Sequence, residues 1–224
     1  MAQDSDRRIQ DLVYEELRRS LMQGVFQPGQ RLSLRQLAAQ LGTSIMPVRA
    51  AVGKLVAEHA LEHRPNRSVH VPEMTKEKFT EITFWRKEIE GKAARLACTF
   101  MDDDTIARLR SINAEIEKRQ DEGDWKGVLA CNHDFHFTIY CKAGSDIALS
   151  MIRNLWLLAG PVVSCSLPSP KFVWDADDHC ACLDALAARD GKAAERAIRR
   201  DIQSLAEFLI QHSIEEQPAI RRVV

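Results

Sequence analysis

Asn132 and His136 stand four residues apart, and His179 and Asp201 stand eleven residues either side of Asp190. Residues i and i+4 of a helix project from one face, so the first pair shares a side. In an antiparallel helix hairpin, residues equidistant from the turn lie at the same level. A turn at Arg189-Asp190-Gly191 would therefore bring His179 and Asp201 together. Two histidines with a carboxylate and an amide oxygen suit a divalent metal ion such as zinc, nickel or manganese. The bland alternative for each histidine is a structural place in a helical core. Arg86 and Glu90, again i and i+4, form either an internal ion pair or a guanidinium held ready to grip a carboxylate. Cys180 and Cys182 adjoin His179, but sulfurs two residues apart on a helix point about 200° apart and do not serve one ion. They read as buried or incidental cysteines, and His133, one residue off the ligand face, is discounted likewise.

A different chemistry sits near the N-terminus. Ser33 precedes Gln36 in the form of a capping box, which satisfies the exposed amides of a helix start. Leu34, Leu37, Ala38 and Leu41 then share a helical face, and Gly42 falls where a left-handed residue ends a helix. Thr43 or Ser44 can cap the next helix. Pro47 is tolerated there because first-turn amides have no intrahelical partner. Val48, Val52, Leu55 and Val56 form the buried stripe of that second helix, while Arg49 stands off it near the N-terminal end. A helix-turn-helix offers that end to the major groove of DNA, where an arginine reaches a guanine edge or a phosphate. Leu61–Arg64 and Ser68–Val71 are β-prone runs around Pro65-Asn66-Arg67, which predicts a hairpin wing with a basic tip.

These residues need elements to position them. Ile9, Leu12, Val13, Leu17 and Leu21 mark an amphipathic first helix, and Gln27-Pro28-Gly29-Gln30 a turn. From Thr75 onward the pattern is helical, with six helices at roughly 75–100, 103–121, 125–143, 146–164, 175–189 and 192–212. The fold class is mainly α: an N-terminal winged helix-turn-helix with a small β-hairpin, then an all-α helical bundle. Domain bounds follow as 1–72, 73–215 and a tail at 216–224. Trp85, Trp125, Trp156 and Trp174 read as core or interface. Residues 1–72 hold ten Lys and Arg against seven Asp and Glu, while the remainder holds 21 against 25. That asymmetry suits a DNA-binding head and an acidic body. No unbroken apolar run approaches the roughly 20 residues of a membrane span. Six scattered cysteines and no apolar leader read as reduced thiols in a cytoplasmic protein.

Tyr14, Leu17, Gly24, Pro28-Gly29, Leu32-Ser33, Leu37-Ala38, Leu41-Gly42, Ser44 and Pro47-Val48-Arg49 together resemble the GntR family of bacterial regulators. The second part resembles the FCD-type effector domain of its FadR subfamily, through Arg86 with Glu90, Phe135-His136, His179, and Gly191 followed by Ala193-Ala194. Six helices match the VanR-like branch. By position, the resemblance implies operator contacts from Arg35, Ser44, Arg49, Asn66 and Arg67. Ile45 stands where the family often has arginine, and Ser68 where the wing usually has glycine. It implies an effector cavity lined by Arg86 and a metal held by an Asp or Asn followed by three histidines. Asn132, His136 and His179 fall on the first three positions, and Asp201 on the last.

The reading is a cytoplasmic homodimeric transcription regulator, a repressor in the family's usual mode. It binds double-stranded operator DNA and is released or recruited by a small carboxylate effector, with no membrane partner. A constitutive DNA-binding protein with a non-sensing helical half is one competitor. A metal-dependent enzyme is the other, against which stands the lack of a nucleophile motif, a phosphate loop or a catalytic base beside the ligands.

Overall fold

The computed structural model describes residues 2–65, 68–166 and 177–214. They divide into two compact units, one of Met1–Met74 with Trp156–Cys165, the other of Thr75–Leu155 with Ser166–Val224.

The first unit begins with α1 (Ala2–Met22), which ends where Gly24 turns left-handed at φ 65°. Gln30 N then donates to Gln27 O across the predicted turn, with Gly29 at φ 75°. Helix α2 (Leu34–Gln40) is capped by Ser33, whose hydroxyl accepts from Gln36 N at 3.4 Å. Gly42, at φ 61°, reverses the chain into α3 (Ile45–Ala57). Ser44 occupies the N-cap of α3, although its hydroxyl makes no capping bond. The wing is a three-stranded sheet rather than a lone hairpin. β2 (Glu62–Arg64) pairs antiparallel with β3 (Ser68–His70), and β1 (Arg31–Leu32) adds to the other edge of β3. Two residues are too short for period-two alternation to show, so β1 carries no sequence signal. Val48, Ala51, Val52 and Leu55 of α3 are at most 2% exposed and meet Val13, Leu17, Leu21 and Val69 in one apolar core.

The second unit is helical throughout: α4 (Lys76–Ala97) with a 3₁₀ turn at Cys98–Phe100, α5 (Asp103–Asp121), α6 (Trp125–Cys141), α7 (Asp146–Ser166), α8 (Asp177–Ala187), and α9 (Gly191–Leu209) closed by a π turn at Ile210–Ile214. Its starts are capped as sequence chemistry dictates. Thr75, Asp102, Asp124 and Asp190 each accept from the amide three residues on. Phe79, Leu109, Phe135, Ile139, Tyr140, Leu186 and Ile198 are buried.

Trp156–Cys165 of α7 groups with the first unit, where Leu157 joins the core cluster. A Cβ on Gly160 would lie 2.3 Å from the Leu21 carbonyl oxygen, so only glycine allows that approach. Asp146–Val163 of α7 is long and apolar enough, by length and composition, to cross a membrane. It holds no unbroken apolar run of that length, because Arg153 and Asn154 interrupt it. Ile152, Leu157, Ala159 and Val162 within it are buried in the protein.

Candidate functional site

In the first unit, β1, the starts of α2 and α3, and β3 frame an exposed cleft of about 630 Å³. Arg31, Arg35 and Arg49 line it together with Ser33, Gln36 and Ile45, and no acidic residue does. Each of the three arginines is exposed. β1 places Arg31 there, so a two-residue strand that no sequence pattern marked supplies a third cation. Ser44 is exposed at the start of α3. Asn66 and Arg67 lie outside the described residues. Ile45 and Met46 are 36% and 65% exposed, unlike the buried apolar residues behind them on α3. The far end of α3 is braced, because Tyr14 Oη donates to Glu58 and Lys54 Nζ sits 5.2 Å from the Tyr14 ring centre. Burial, then the bond to Glu58, pushes the Tyr14 hydroxyl up to about 12, so it stays a donor. In the wing, Arg64 is tied to Glu62 and Glu73 at 2.6 and 3.2 Å.

In the second unit, five helices send polar groups into one buried cluster. Asn132 and His136 share a face of α6, as their spacing predicts, and both are buried. His179 of α8 and Asp201 of α9 meet across the Arg189–Gly191 turn, with Nε2 3.6 Å from Oδ1. His136 Nε2 lies 3.3 Å from Asp201 Oδ2. The ligand atoms of His136, His179 and Asp201 all fall within 4.8 Å of one another, and no cysteine joins that group among the described residues. Donors sharing one ion through bonds of about 2.1 Å stand about 3.0–3.4 Å apart, so a small contraction would let the three residues hold a divalent cation. Asn132 Oδ1, one turn of α6 before His136, is buried without a hydrogen-bond partner.

The electrostatics agree. Burial holds the His179 imidazole down to about 4, partly countered by Asp201, so the ring is neutral and a competent ligand near pH 7. Burial pushes the Asp201 carboxyl up, but the hydrogen bond and charge of His136, with His179 and Arg86, outweigh it and leave it below the usual range. Burial also pushes the Cys182 thiol up, with Asp201 and Cys98 adding, which keeps it an inert thiol. His133 points away and stacks on Phe137 at 4.2 Å.

Arg86 is buried on α4, and its Nε donates to Glu90 Oε1 at 2.8 Å. Glu90 Oε2 accepts from Tyr140 Oη at 2.7 Å, and Tyr140 Oη lies 3.0 Å from His136 Nδ1. On the other side, His179 Nδ1 lies 2.9 Å from Asn113 Oδ1 of α5. The sequence pattern pointed to Arg86, Glu90, Asn132, His136, His179 and Asp201. It did not point to Asn113, whose partner lies 66 residues away, or to Tyr140, which stands four residues after His136 but carries a phenol that reads as core.

A winged helix-turn-helix carrying an exposed cationic cleft, in a chain that also holds an all-helical unit, defines a DNA-binding transcription regulator. Residues 9–71 match the bacterial regulatory proteins of the gntR family, and residues 81–204 match the FCD domain. The chain is 35% identical over 202 residues to the HTH-type transcriptional regulator McbR of Escherichia coli K12, spanning 89% of this chain and 91% of that protein. It is 26% identical over 205 residues to the HTH-type transcriptional repressor RspR of the same strain, spanning 89% and 88%. The solved structure of E. coli McbR/YncC has a TM-score of 0.85 and 29% identity, over 91% of this chain and 97% of that one. The chain belongs to the gntR family of bacterial transcription regulators, in its FadR-like branch with an FCD domain. Its relatives are regulators rather than enzymes, and the enzyme alternative falls on that ground.

Proposed function

We propose that this regulator is a cytoplasmic repressor whose operator affinity is set by a divalent metal and a small organic acid bound in the helical unit. The carrying observation is the convergence of His136, His179 and Asp201 on one buried point. The donor set fits zinc, nickel or manganese, with Asp201 in place of a third histidine weighting the choice toward harder ions. When bound, the metal supplies a charge that an effector carboxylate can meet. Arg86 already gives two nitrogens to Glu90, at 2.8 and 3.5 Å. Its charge is thereby compensated, and capture of the acid depends more on the ion than on Arg86. Effector binding alters operator affinity only by its differential affinity for the two states of the protein.

On the DNA side, Arg35 and Arg49 reach base edges or phosphates, Ser44 and Arg31 the backbone, and Asn66 and Arg67 the adjoining groove. Ile45 sits in the same cleft, where its apolar tip suits the methyl group of a thymine. A homodimer would bring two such heads to a palindromic operator. Trp85, Leu96 and Phe100, with Ile147 and Met151 of α7, are each about half exposed or more, apolar area of the kind that association covers.

A mobility-shift titration on the gene's own upstream region, with and without zinc, manganese or chelator, tests the reading. Retardation that depends on ion and organic acid supports it. Retardation indifferent to both leaves a constitutive DNA-binding protein and overturns the sensing role.

A further inference from the structure

Ser68 and His70 alternate with the buried Val69 along β3, so they share its outer face. Ser68 also lines the cationic cleft with Arg31, Arg35 and Arg49. His70 Nδ1 lies 3.2 Å from the Gly29 carbonyl oxygen, and its Nε2 lies 3.2 Å from Ser68 Oγ. A carbonyl only accepts, so Nδ1 carries a hydrogen. Ser68 Oγ also stands 3.1 Å from the Pro65 carbonyl oxygen, which likewise only accepts. The hydroxyl therefore has one hydrogen and two acceptors competing for it. In a neutral ring Nε2 is a bare lone pair and draws that hydrogen away from Pro65. In a charged ring Nε2–H is itself the donor, and the hydroxyl turns to Pro65. That bond joins the residues on either side of Asn66 and Arg67, so the charge state of His70 decides whether the wing is tied across its tip.

The surrounding charges set the direction of the coupling. Arg31 and Glu62 stand directly across from His70 on the two neighbouring strands. Arg64 is tied to Glu62 and Glu73, and Glu73 packs beside Gly29. These two cations and two carboxylates offset one another in sign, while Arg35 and Arg49 line the cleft beyond Ser68. A phosphate entering the cleft adds negative charge on the side where cations prevail, and so favours the charged ring. We infer that His70 and Ser68 are positioning residues that couple the wing to a proton: DNA in the cleft favours the charged ring, Ser68 then ties the tip through Pro65, and duplex affinity rises as pH falls. The inference goes beyond the metal and effector reading and rests on the cleft facing DNA. By linkage, a proton that tightens DNA binding is itself bound more tightly once DNA is in place.

The test titrates the full-length protein onto a labelled duplex from the gene's own upstream region, from about pH 5.5 to about pH 8, either side of the ordinary histidine value of about 6.5. A duplex of unrelated sequence at low salt is the second probe, since phosphate contacts need no particular sequence. Other histidines titrate in every form, so the reading is the difference between wild type and variant. The wild-type dissociation constant is expected to rise roughly 3- to 10-fold more across that window than that of His70→Phe, which keeps a ring and removes both nitrogens. Ser68→Ala should keep only the part of the rise that the ring's charge supplies, and Ser68→Thr, which retains the hydroxyl, the whole of it. A purely structural role would weaken the variants equally at every pH. Far-UV circular dichroism at each pH checks folding. No difference between wild type and folded His70→Phe, or one of opposite sign, overturns the proposal. Calorimetric titration of the wild type in two buffers of different ionisation enthalpy needs no variant: net proton uptake on binding is expected, and none, or a release, overturns it. Arg49→Ala tells the failures apart, because wild-type retardation in that variant would show that the cleft itself does not face DNA.

Discussion

The cleft of the first unit and the cluster of the second both gather charged groups, yet they solve opposite problems. Arg31, Arg35 and Arg49 stand in water, where a guanidinium needs no protein partner and keeps its full field for a phosphate or a base edge. Arg86, Glu90, His136 and His179 are buried and Asp201 is partly buried beside them, where an uncompensated charge costs several kcal/mol. Each is therefore tied to a neighbour, in a chain that runs from Arg86 through Glu90 and Tyr140 to His136, Asp201, His179 and Asn113. Exposure makes the first site general and salt-dependent. Burial makes the second selective, because a ligand must match geometry that is already committed.

The contrast can be broken by experiment. The largest effect belongs to the exposed side. Arg49→Ala should cost about 1–3 kcal/mol of operator binding in each half-site, or roughly 5- to 150-fold per half-site. A mobility-shift titration reads this, and wild-type affinity in the variant would show that the cleft does not face DNA. Fold stability should stay unchanged, since the side chain is exposed.

On the buried side, acid should unfold the metal-free protein from within. The His179 pKa is held near 4 in the folded state, below its ordinary 6.5. A depressed folded pKa means that its stabilising contribution is whole above about pH 6.5 and is lost as pH falls through about 4. The full loss is on the order of 3 kcal/mol. Urea midpoints measured across that window should fall with pH, and a flat profile would mean that the ring is not buried as described. Asp201, also held below its usual range, acts with the same sign.

Metal should oppose that loss. Zinc or manganese at a hundredfold excess over its dissociation constant should stabilise the wild type by about 2.7 kcal/mol. Asp201→Ala should show none of the gain in a thermal melt, and an equal gain in both would place the ion elsewhere. Packing supplies a similar step: Gly160→Ala forces a methyl onto the Leu21 carbonyl and should cost about 1–3 kcal/mol by thermal unfolding. The smallest effect tests Ile45. Replacing operator thymines one at a time by deoxyuridine removes a single methyl, and one position per half-site should weaken binding about fourfold. That sensitivity should vanish in Ile45→Ala, and a wild type indifferent to every replacement would rule the contact out.

Much of this was legible along the chain because it is written in short-range spacing. The Ser33–Gln36 cap, the left-handed Gly42, the buried stripe of α3 and the hairpin around Pro65 depend on neighbours within a few residues. So do the helix bounds in the second unit, whose starts are marked by Thr75, Asp102, Asp124 and Asp190. Even the meeting of His179 and Asp201 follows from counting either side of a turn. Arg31 escaped notice because β1 exists only through its pairing with β3. Asn113 has its histidine partner 66 residues away, and Tyr140 its Glu90 partner 50 residues away; the i, i+4 spacing of Tyr140 from His136 was the one local signal, and it does not tell a core tyrosine from a hydrogen-bonding one.

The amino-acid sequence alone determined the helical periodicities, their caps and turns, and which residue types were available to grip DNA or a cation. Those properties arise between atoms a few bonds or one helical turn apart. Tertiary structure alone decided which nitrogen of each imidazole faces Asp201, which carboxylate accepts from Tyr140, and how a two-residue strand brings Arg31 to the cleft. These outcomes depend on the side chains that close packing sets against one another, and a buried polar group takes whatever partner the neighbouring element provides.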